Sequence, residues 1–458
     1  MEKQTIDSIL DRLEHSSMFH LSLGSKELFH SNFLYWLSIV NWDSFLIVMR
    51  GLAKVDSFWW EQTFKHSNET AENQVEVRRE SHNFDLSIYV KTSKEKHKDG
   101  EVCEVETWIP VLVLENKMKS LPRHAQLQEY TEKAFNEWKQ KKNNHELDVL
   151  WKEQPIAFVL LSLFIDGDFS NNCSHKYEFG RKQKQQIQID ACWEKNNYAD
   201  LYRLLNSIHL KEESTSLNQK ILEDYCQFIC ALHELSTHDW LISEDDSFVE
   251  KIYPWAIEGY SGDRQVRLRI YDIRQKVHYA QLKSMLEKAL RSQGLQVTEA
   301  PFKRNDPDGL YYGTNFAHNI GILEIALKHR DESIFLQLQG HSYAHAFALS
   351  DNKDAASRLI EHRLAMESLF EFAEEDSEPV SKERITTKYP EILHTNELYP
   401  QGVNTQAIKK KRKLKCFKYF GQGFVYQNVL IPETVKIGQV IQAMVEDTKK
   451  CLKICLER

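Results

Sequence analysis

The chain has 458 residues, of which 41% are hydrophobic, and its formal net charge is −8 at pH 7. This length favours two domains over a single core, and 16 Gly and 10 Pro are too few for a linker-rich or disordered protein. The acidic balance provides no global attraction to nucleic acid, so any contact with phosphate must come from local basic groups.

The composition also predicts where the protein works. No apolar run approaches the length of a membrane span, and the N-terminal stretch is charged and amphipathic, without an apolar signal core. The eight cysteines show no dense spacing pattern, which favours reduced thiols. We therefore expect a soluble, cytoplasmic protein that makes no membrane contact.

Apolar residues at helical spacing predict helix over residues 4–40. Within GSKELFHSNFLYWL, Ser25 is a candidate N-cap and Glu27 lies in the first turn, where the helix dipole favours an acid at the surface. His30 and Asn32 lie close to Glu27 along the chain. They could face a substrate, and helix packing or capping is an equal alternative.

Residues 74–91 predict a β-hairpin, because QVEVRRE and FDLSIYV both alternate and His82-Asn83 lies between them. Asp85 would share a strand face with Ser87 and Tyr89. Aspartate has a poor strand propensity, so its place early in this strand needs a reason. The charged segment from Thr92 to Glu106 is expected to be a solvated loop.

The run PVLVL predicts a buried strand that leads directly into Glu115 and Lys117. Residues two apart on a strand point to the same face, so the two side chains would lie together. A charged pair at the end of a buried strand is costly unless a metal ion or an active site compensates it. The alternative is a surface pair just beyond the strand end.

A helix follows over about residues 122–142, with a sheet-facing stripe of Leu127, Thr131, Ala134 and Trp138. Gln126 and Tyr130 flank this stripe one turn apart, within QLQEY. Residues 156–164 and 185–193 predict further strands, and a helix begins near residue 196. The predicted order is helix, three strands, helix, strand, with a right-handed crossover between parallel strands.

The phrases ELFHSNFL, NFD, ENK and QLQEY, in this order, resemble the PD-(D/E)XK nuclease superfamily, and the first is similar to the opening of one bacterial family within it. The resemblance covers roughly residues 20–205. It implies a restriction-endonuclease-like α/β core and a hydrolase acting on phosphodiester bonds. Phe84 stands where the superfamily has the proline of its name, a residue that is not a ligand.

The resemblance also implies roles for individual residues. Asp85, Glu115 and the backbone carbonyl of Asn116 would bind Mg²⁺ or Mn²⁺, since oxygen ligands suit hard cations. Glu27 would complete the metal shell or help to hold a second ion. Lys117 would orient the attacking water, and Gln126 and Tyr130 would position the carboxylates or the phosphate. The implied catalytic set is Asp85, Glu115, Lys117, Glu27, Gln126 and Tyr130.

The implied substrate is DNA, in a bacterial or phage-related setting such as defence. Two alternatives stay open: a nucleic-acid-binding or assembly protein that kept the fold and lost cleavage, and a nuclease acting on RNA. An activator protein is a further partner that the sequence leaves open.

The expected domains are a nuclease-like domain over residues 1–205, a helical connector over 206–244 and an α+β domain over 245–458. Cys226 and Cys230 are expected to be buried helix cysteines rather than ligands of an iron–sulfur cluster, which needs four. His341 and His345 have the spacing of helical metal ligands, but no third ligand is evident.

The last domain is predicted to contain a long helix over 265–290, strands near 309–316, 320–328, 333–340 and 415–431, and helices over 352–374 and 434–456. The basic run KKKRKLKCFKY is expected to be a solvated loop that enters a strand, with a phosphate-contacting patch as the minority interpretation. This domain could serve target recognition, regulation or homodimerisation.

Overall fold

In the computed structural model, the described residues are 6–23, 26–64, 74–98, 101–118, 124–139, 156–164, 171–179, 185–208, 216–237, 239–254, 264–299, 307–317, 320–329, 332–348, 418–419 and 424–456. The chain divides into two compact units, Met1–Asp239 and Trp240–Arg458. Both units combine a mixed sheet with helices, so the α/β class is confirmed.

The first unit opens with five helices: α1 (Ile6–His15), α2 (Ser17–Ser22), α3 (Lys26–Val40), α4 (Trp42–Ala53) and α5 (Ser57–Phe64). The helix predicted over residues 4–40 is therefore three helices. Ser16 interrupts it, because its hydroxyl accepts a hydrogen bond from the backbone N–H of Phe19 and caps α2. The same hydroxyl donates to Asp224 at 2.7 Å.

A six-stranded sheet forms the centre of the first unit. Its strands are β1 (Val75–Ser81), β2 (Phe84–Lys98), β3 (Glu101–Lys117), β4 (Ala157–Ser162), β5 (Asn172–Phe179) and β6 (Gln185–Asn197), in the order β1-β2-β3-β4-β6-β5. The first three strands are antiparallel neighbours, β4 runs parallel to both β3 and β6, and β5 pairs antiparallel with β6. Helix α6 (His124–Lys139) connects the parallel pair β3 and β4, and α7 (Tyr198–Asn206) and α8 (Ser216–Thr237) follow β6.

The predicted hairpin is present, with His82 and Asn83 at its turn. Both residues have positive φ, 57° and 71°, which is the conformation that two-residue hairpin turns require. The loop predicted from Thr92 to Glu106 is wrong: β2 continues to Lys98 and β3 resumes at Glu101, and the two strands pair along this segment. Lysine and glutamate dominate this segment and are depleted in strands, so its composition indicated a loop although its backbone pairs. Strand β5 was likewise not predicted.

Helix α6 packs on one face of the sheet through the predicted stripe. Leu127, Thr131, Ala134 and Trp138 are all buried. The indole N–H of Trp193 on β6 donates to the Thr131 hydroxyl at 3.0 Å, so the one polar member of the stripe is hydrogen-bonded. The core beneath α6 also contains Val113, Phe158 and Leu160.

Helix α7 begins at a capping box. The Asn197 side chain accepts hydrogen bonds from the backbone N–H groups of Ala199 and Asp200, and the Asp200 carboxylate accepts from the Asn197 N–H. Replacing Asn197 with alanine is expected to lower the free energy of unfolding by about 1 kcal/mol, because these donors lose their acceptor. Urea denaturation measures the change. Asn197→Asp keeps the acceptor, so equal losses in both variants would contradict this role for the cap.

The first unit extends further than predicted. Residues up to Asp239 belong to it, whereas we expected residues 206–244 to form a connector. Helix α8 packs against α1 and α7, and its buried side chains include Tyr225, Phe228 and Ile229. Cys226 is buried and Cys230 half-buried on the same helix, and burial raises the pKa of their thiols to about 12 and about 11.

The second unit contains a seven-stranded sheet in the order β12-β13-β11-β10-β9-β8-β7, antiparallel except for the pair β7 and β8. Its elements are α9 (Phe248–Ile252), α10 (Arg264–Arg267), α11 (Tyr271–Ser292), β7 (Thr298–Glu299), β8 (Gly309–Ala317), β9 (Ile320–His329), β10 (Glu332–Gln339), β11 (Ser342–Ala348), β12 (Lys418–Tyr419), β13 (Phe424–Leu430) and α12 (Ile437–Leu456). Helices α11 and α12 pack on this sheet. At Gly321 a Cβ would overlap the Tyr279 ring, so the strand and helix approach closely only because this residue is glycine.

Two features of this unit differ from the sequence patterns, and two further expectations fall outside the described residues. The helix predicted over 265–290 is two helices, separated at Arg269, whose φ is 58°. His341 lies in a turn and His345 on β11, so their spacing does not place them on one face of a helix. The predicted helix over 352–374 and most of the basic run 409–419 lie outside the described residues. Within the described part of the chain, no helix is both long and apolar enough to cross a membrane.

Candidate active site

The structure brings together Asp85, Glu115 and Lys117, which are distant in the sequence. Strands β2 and β3 pair with Leu86 opposite Leu114, which places Asp85 beside the end of β3. The backbone N–H of Asn116 donates to Asp85 Oδ2 at 2.6 Å. The Lys117 ammonium forms an ion pair with Glu115 Oε1. Two carboxylates and one amine therefore lie at the same end of two neighbouring strands.

The Glu115–Lys117 pair is buried. Glu115 is 1% exposed and Lys117 is 7% exposed, and both residues belong to β3. The alternative of a surface pair beyond the strand end is therefore wrong. Removing two charges from water costs several kcal/mol per ion, which a single ion pair often fails to repay. A buried pair of this kind is weak evidence for stability and stronger evidence for a chemical role.

Helix α6 provides one wall of the candidate site. The side-chain amide of Gln126 donates to Glu115 Oε1 at 3.3 Å and to the Tyr130 hydroxyl at 2.8 Å. The first and last residues of the QLQEY pattern, Gln126 and Tyr130, thus belong to the hydrogen-bond network around Glu115. The predicted one-turn spacing places them on the same side of the helix.

The electrostatic surroundings of Tyr130 connect it to the same charges. Burial raises the pKa of Tyr130, and the negative charge of Glu115 raises it further. The hydrogen bond from Gln126 and the positive charge of Lys117 lower this pKa, and Asp85 adds a smaller increase. The net direction is upward, so the Tyr130 hydroxyl is protonated at neutral pH.

Glu27 is the remaining predicted catalytic residue. It lies in the first turn of α3, as the sequence predicts. Its side chain lies outside the described part of the structure, so its role as a metal ligand stays a prediction.

Two residues that hydrogen-bond to the end of β3 were not predicted from the sequence. The Tyr198 hydroxyl donates to Asn116 Oδ1 at 2.6 Å, and the Ser162 hydroxyl donates to the Lys117 carbonyl at 3.0 Å. Asn116 carried a signal, because an amide inside a buried strand needs a hydrogen-bond partner. The sequence could not name that partner, since Tyr198 lies 82 residues away.

His30 has a packing role. It is fully buried on α3, with Nδ1 2.7 Å from the Tyr225 hydroxyl and Nε2 3.0 Å from Met118 Sδ. Of the two interpretations of His30, helix packing is the one that these contacts support. Asn32 accepts a hydrogen bond from Arg79 on β1.

Burial lowers the pKa of His30 from 6.5 to about 3. The folded protein keeps this ring neutral, whereas the unfolded chain takes up a proton as the pH falls below 6.5. Stability is therefore lost between pH 6.5 and 3, and His30 is expected to cost about 2 kcal/mol of unfolding free energy between pH 7 and pH 5. Urea denaturation at both pH values measures this loss.

His30→Gln is expected to lose less stability than wild type over the same pH interval. His20→Gln removes an exposed histidine of the same unit and is the control, which should retain the wild-type pH dependence. Identical pH dependence in wild type and His30→Gln would contradict the assignment.

The donor set fits a hard divalent cation. Asp85 and Glu115 supply carboxylate oxygens, and the backbone of Asn116 supplies a carbonyl oxygen. Among the described residues, no group of three or more His, Cys, Asp or Glu side chains is placed to hold a metal ion. Two carboxylates are enough for Mg²⁺, which usually keeps several water ligands.

No protein-family model matches this sequence, and it matches no curated protein and no solved structure.

Proposed function

We propose that this protein is a Mg²⁺- or Mn²⁺-dependent nuclease that hydrolyses phosphodiester bonds in DNA. The observation that carries the proposal is the buried Glu115–Lys117 pair, held beside Asp85 at the ends of two strands. Helix α3, three antiparallel strands, helix α6 and the parallel strand β4 occur in the order of a restriction-endonuclease-like core. This order supports that core, and the resemblance of the site motifs favours DNA as the substrate.

Asp85, Glu115 and the carbonyl of Asn116 would hold the cation, with Glu27 as a further ligand. When bound, it would lower the pKa of a water molecule and offset the negative charge of the scissile phosphate. The rest of the chemistry belongs to the protein. Lys117 orients the attacking water and stabilises the charge that develops on the phosphate, since an ammonium is a strong hydrogen-bond donor.

Helix α6 keeps the Glu115 carboxylate in place. Gln126 holds Glu115 through its amide and is itself tied to the Tyr130 hydroxyl. Tyr130 stays neutral because burial raises its pKa, so it adds no charge to a site that already contains two carboxylates. A neutral hydroxyl can also donate a hydrogen bond to a phosphate oxygen.

The purified protein should be incubated with plasmid DNA, single-stranded DNA and RNA in Mg²⁺, Mn²⁺ and EDTA. We expect cleavage of DNA with either cation and none in EDTA. Preferential cleavage of RNA would replace the proposal with the RNA-directed nuclease. DNA binding without cleavage of any substrate would favour the catalytically silent binding protein.

The setting that accompanies this activity is the cytoplasm of a bacterium, in defence against phage. The second unit, Trp240–Arg458, would then serve target recognition, homodimerisation or the response to an activator. Only the resemblance of the first unit supports this setting. Light scattering on the purified chain tests homodimerisation.

A further inference from the structure

Asn116 connects the three charged residues of the candidate site. It lies between Glu115 and Lys117 on β3 and is 1% exposed. Its backbone N–H fixes the Asp85 carboxylate at 2.6 Å. Any rotation of this peptide would therefore move both carboxylates and the amine relative to one another.

A hydroxyl from another element of the first unit holds the side chain of Asn116. Tyr198, which is fully buried, donates its hydroxyl hydrogen bond to Asn116 Oδ1 at 2.6 Å. Neither Tyr198 nor its ring neighbour His30 belongs to the predicted catalytic set. The Tyr198 ring lies edge-on to His30, with the ring centroids 5.0 Å apart.

The backbone of Tyr198 is itself fixed. Tyr198 is the first residue of α7, directly after the capping-box residue Asn197. The His30 ring beside it also contacts Met118, the residue after Lys117. Tyr198 thus connects the start of α7 to Asn116, the residue between Glu115 and Lys117.

We propose that Tyr198 is a positioning residue for the metal site, acting through Asn116. The inference rests on the proposed function, because it assumes that Asp85 and Glu115 bind a divalent cation. The hydroxyl of Tyr198 keeps the Asn116 amide and its peptide in one orientation, so that Asp85 and Glu115 meet the cation in a fixed geometry. Replacing a residue that orients metal ligands in this way typically lowers metal affinity or activity by about 10- to 100-fold.

Tyr198→Phe tests the proposal, because it removes the hydroxyl and keeps the ring that packs against His30. Titration calorimetry with Mn²⁺ on the full chain, without nucleic acid, should show a dissociation constant at least about 10-fold higher than in wild type. Tyr279→Phe is the matched control. Its hydroxyl accepts a hydrogen bond from Gly340 N–H at 3.0 Å inside the second unit, and its removal should leave Mn²⁺ affinity unchanged.

A second variant tests whether Tyr198 acts through Asn116. Asn116→Leu removes the amide at similar volume, and adding Tyr198→Phe to it should cause no further loss of Mn²⁺ affinity, since coupled residues are not additive. If the losses of Mn²⁺ affinity in the two single variants add in the double variant, Tyr198 does not act through Asn116 and the proposal is overturned. Tyr198→Phe with wild-type Mn²⁺ affinity and a lower melting temperature would show a structural role alone.

The failure of the proposed function gives a different result. If wild type binds no Mn²⁺, or binds it equally well after Asp85→Asn, both the nuclease proposal and the role of Tyr198 are overturned. If wild type binds Mn²⁺ through Asp85 and Tyr198→Phe binds it equally well, only the positioning role is overturned.

Discussion

Replacing Lys117 with methionine is expected to lower the rate of metal-dependent DNA cleavage by about 10²- to 10⁴-fold. Methionine keeps most of the side-chain volume and removes the ammonium that orients water and stabilises the charge on the phosphate. Metal binding by Asp85 and Glu115 should persist, since neither carboxylate is changed. Initial rates of plasmid nicking in Mn²⁺ measure the effect, with circular dichroism to confirm that the variant is folded.

The chain offers a matched control for this substitution. Lys283 forms a half-buried ion pair with Glu299 in the second unit, and Lys283→Met removes the same group there. We expect Lys283→Met to cleave DNA within about twofold of the wild-type rate, because this lysine lies in the second unit and outside the proposed site. Equal rates for wild type and Lys117→Met would show that the amine takes no part in the chemistry.

The combined variant Glu115→Gln/Lys117→Met is expected to be at least as stable as wild type and inactive. Each single substitution leaves one buried charge without its counter-charge, which typically costs about 3–5 kcal/mol. Replacing both charges removes that penalty together with the cost of burying the pair. Urea denaturation of wild type, both single variants and the double variant gives the coupling energy.

The sign of this coupling separates two accounts of the pair. A stable, inactive double variant means that the Glu115–Lys117 pair is maintained for chemistry at the expense of stability. Losses that simply add in the double variant would mean that the two charges do not interact in solution. That result would contradict the buried ion pair and weaken the case for an active site there.

The local patterns of the sequence were sufficient for the elements that carry the site. The run PVLVL predicted the buried end of β3, and the QLQEY pattern placed Gln126 and Tyr130 on the side of α6 that joins Glu115. Alternation and the pair His82-Asn83 predicted the hairpin that carries Asp85. These features depend on residues that are neighbours in the sequence.

Other features depend on partners that are distant in the sequence. The buried state of His30 is set by Tyr225 and Met118, and the Asn116 side chain by Tyr198. No periodicity encodes such pairs. Strand pairing from Thr92 to Glu106 was missed for a related reason, because polar side chains on a paired ribbon look like a loop.

In the second unit, backbone conformation at single residues was decisive. Arg269 adopts a positive φ that ends one helix before the next begins, although the apolar pattern continues through it. His341 and His345 have helical spacing, but His345 pairs with Leu336 across two strands. Residue spacing alone cannot distinguish these cases when the flanking sequence suits both a helix and a strand.

A crystal structure of the full chain soaked in Mn²⁺ tests the central claim most directly. Anomalous scattering locates the cation independently of any assumption about its ligands. We expect a peak in contact with carboxylate oxygens of both Asp85 and Glu115, and its loss in Asp85→Asn. A folded protein with no peak between these two carboxylates, or with its only peak on other residues, would contradict the assignment.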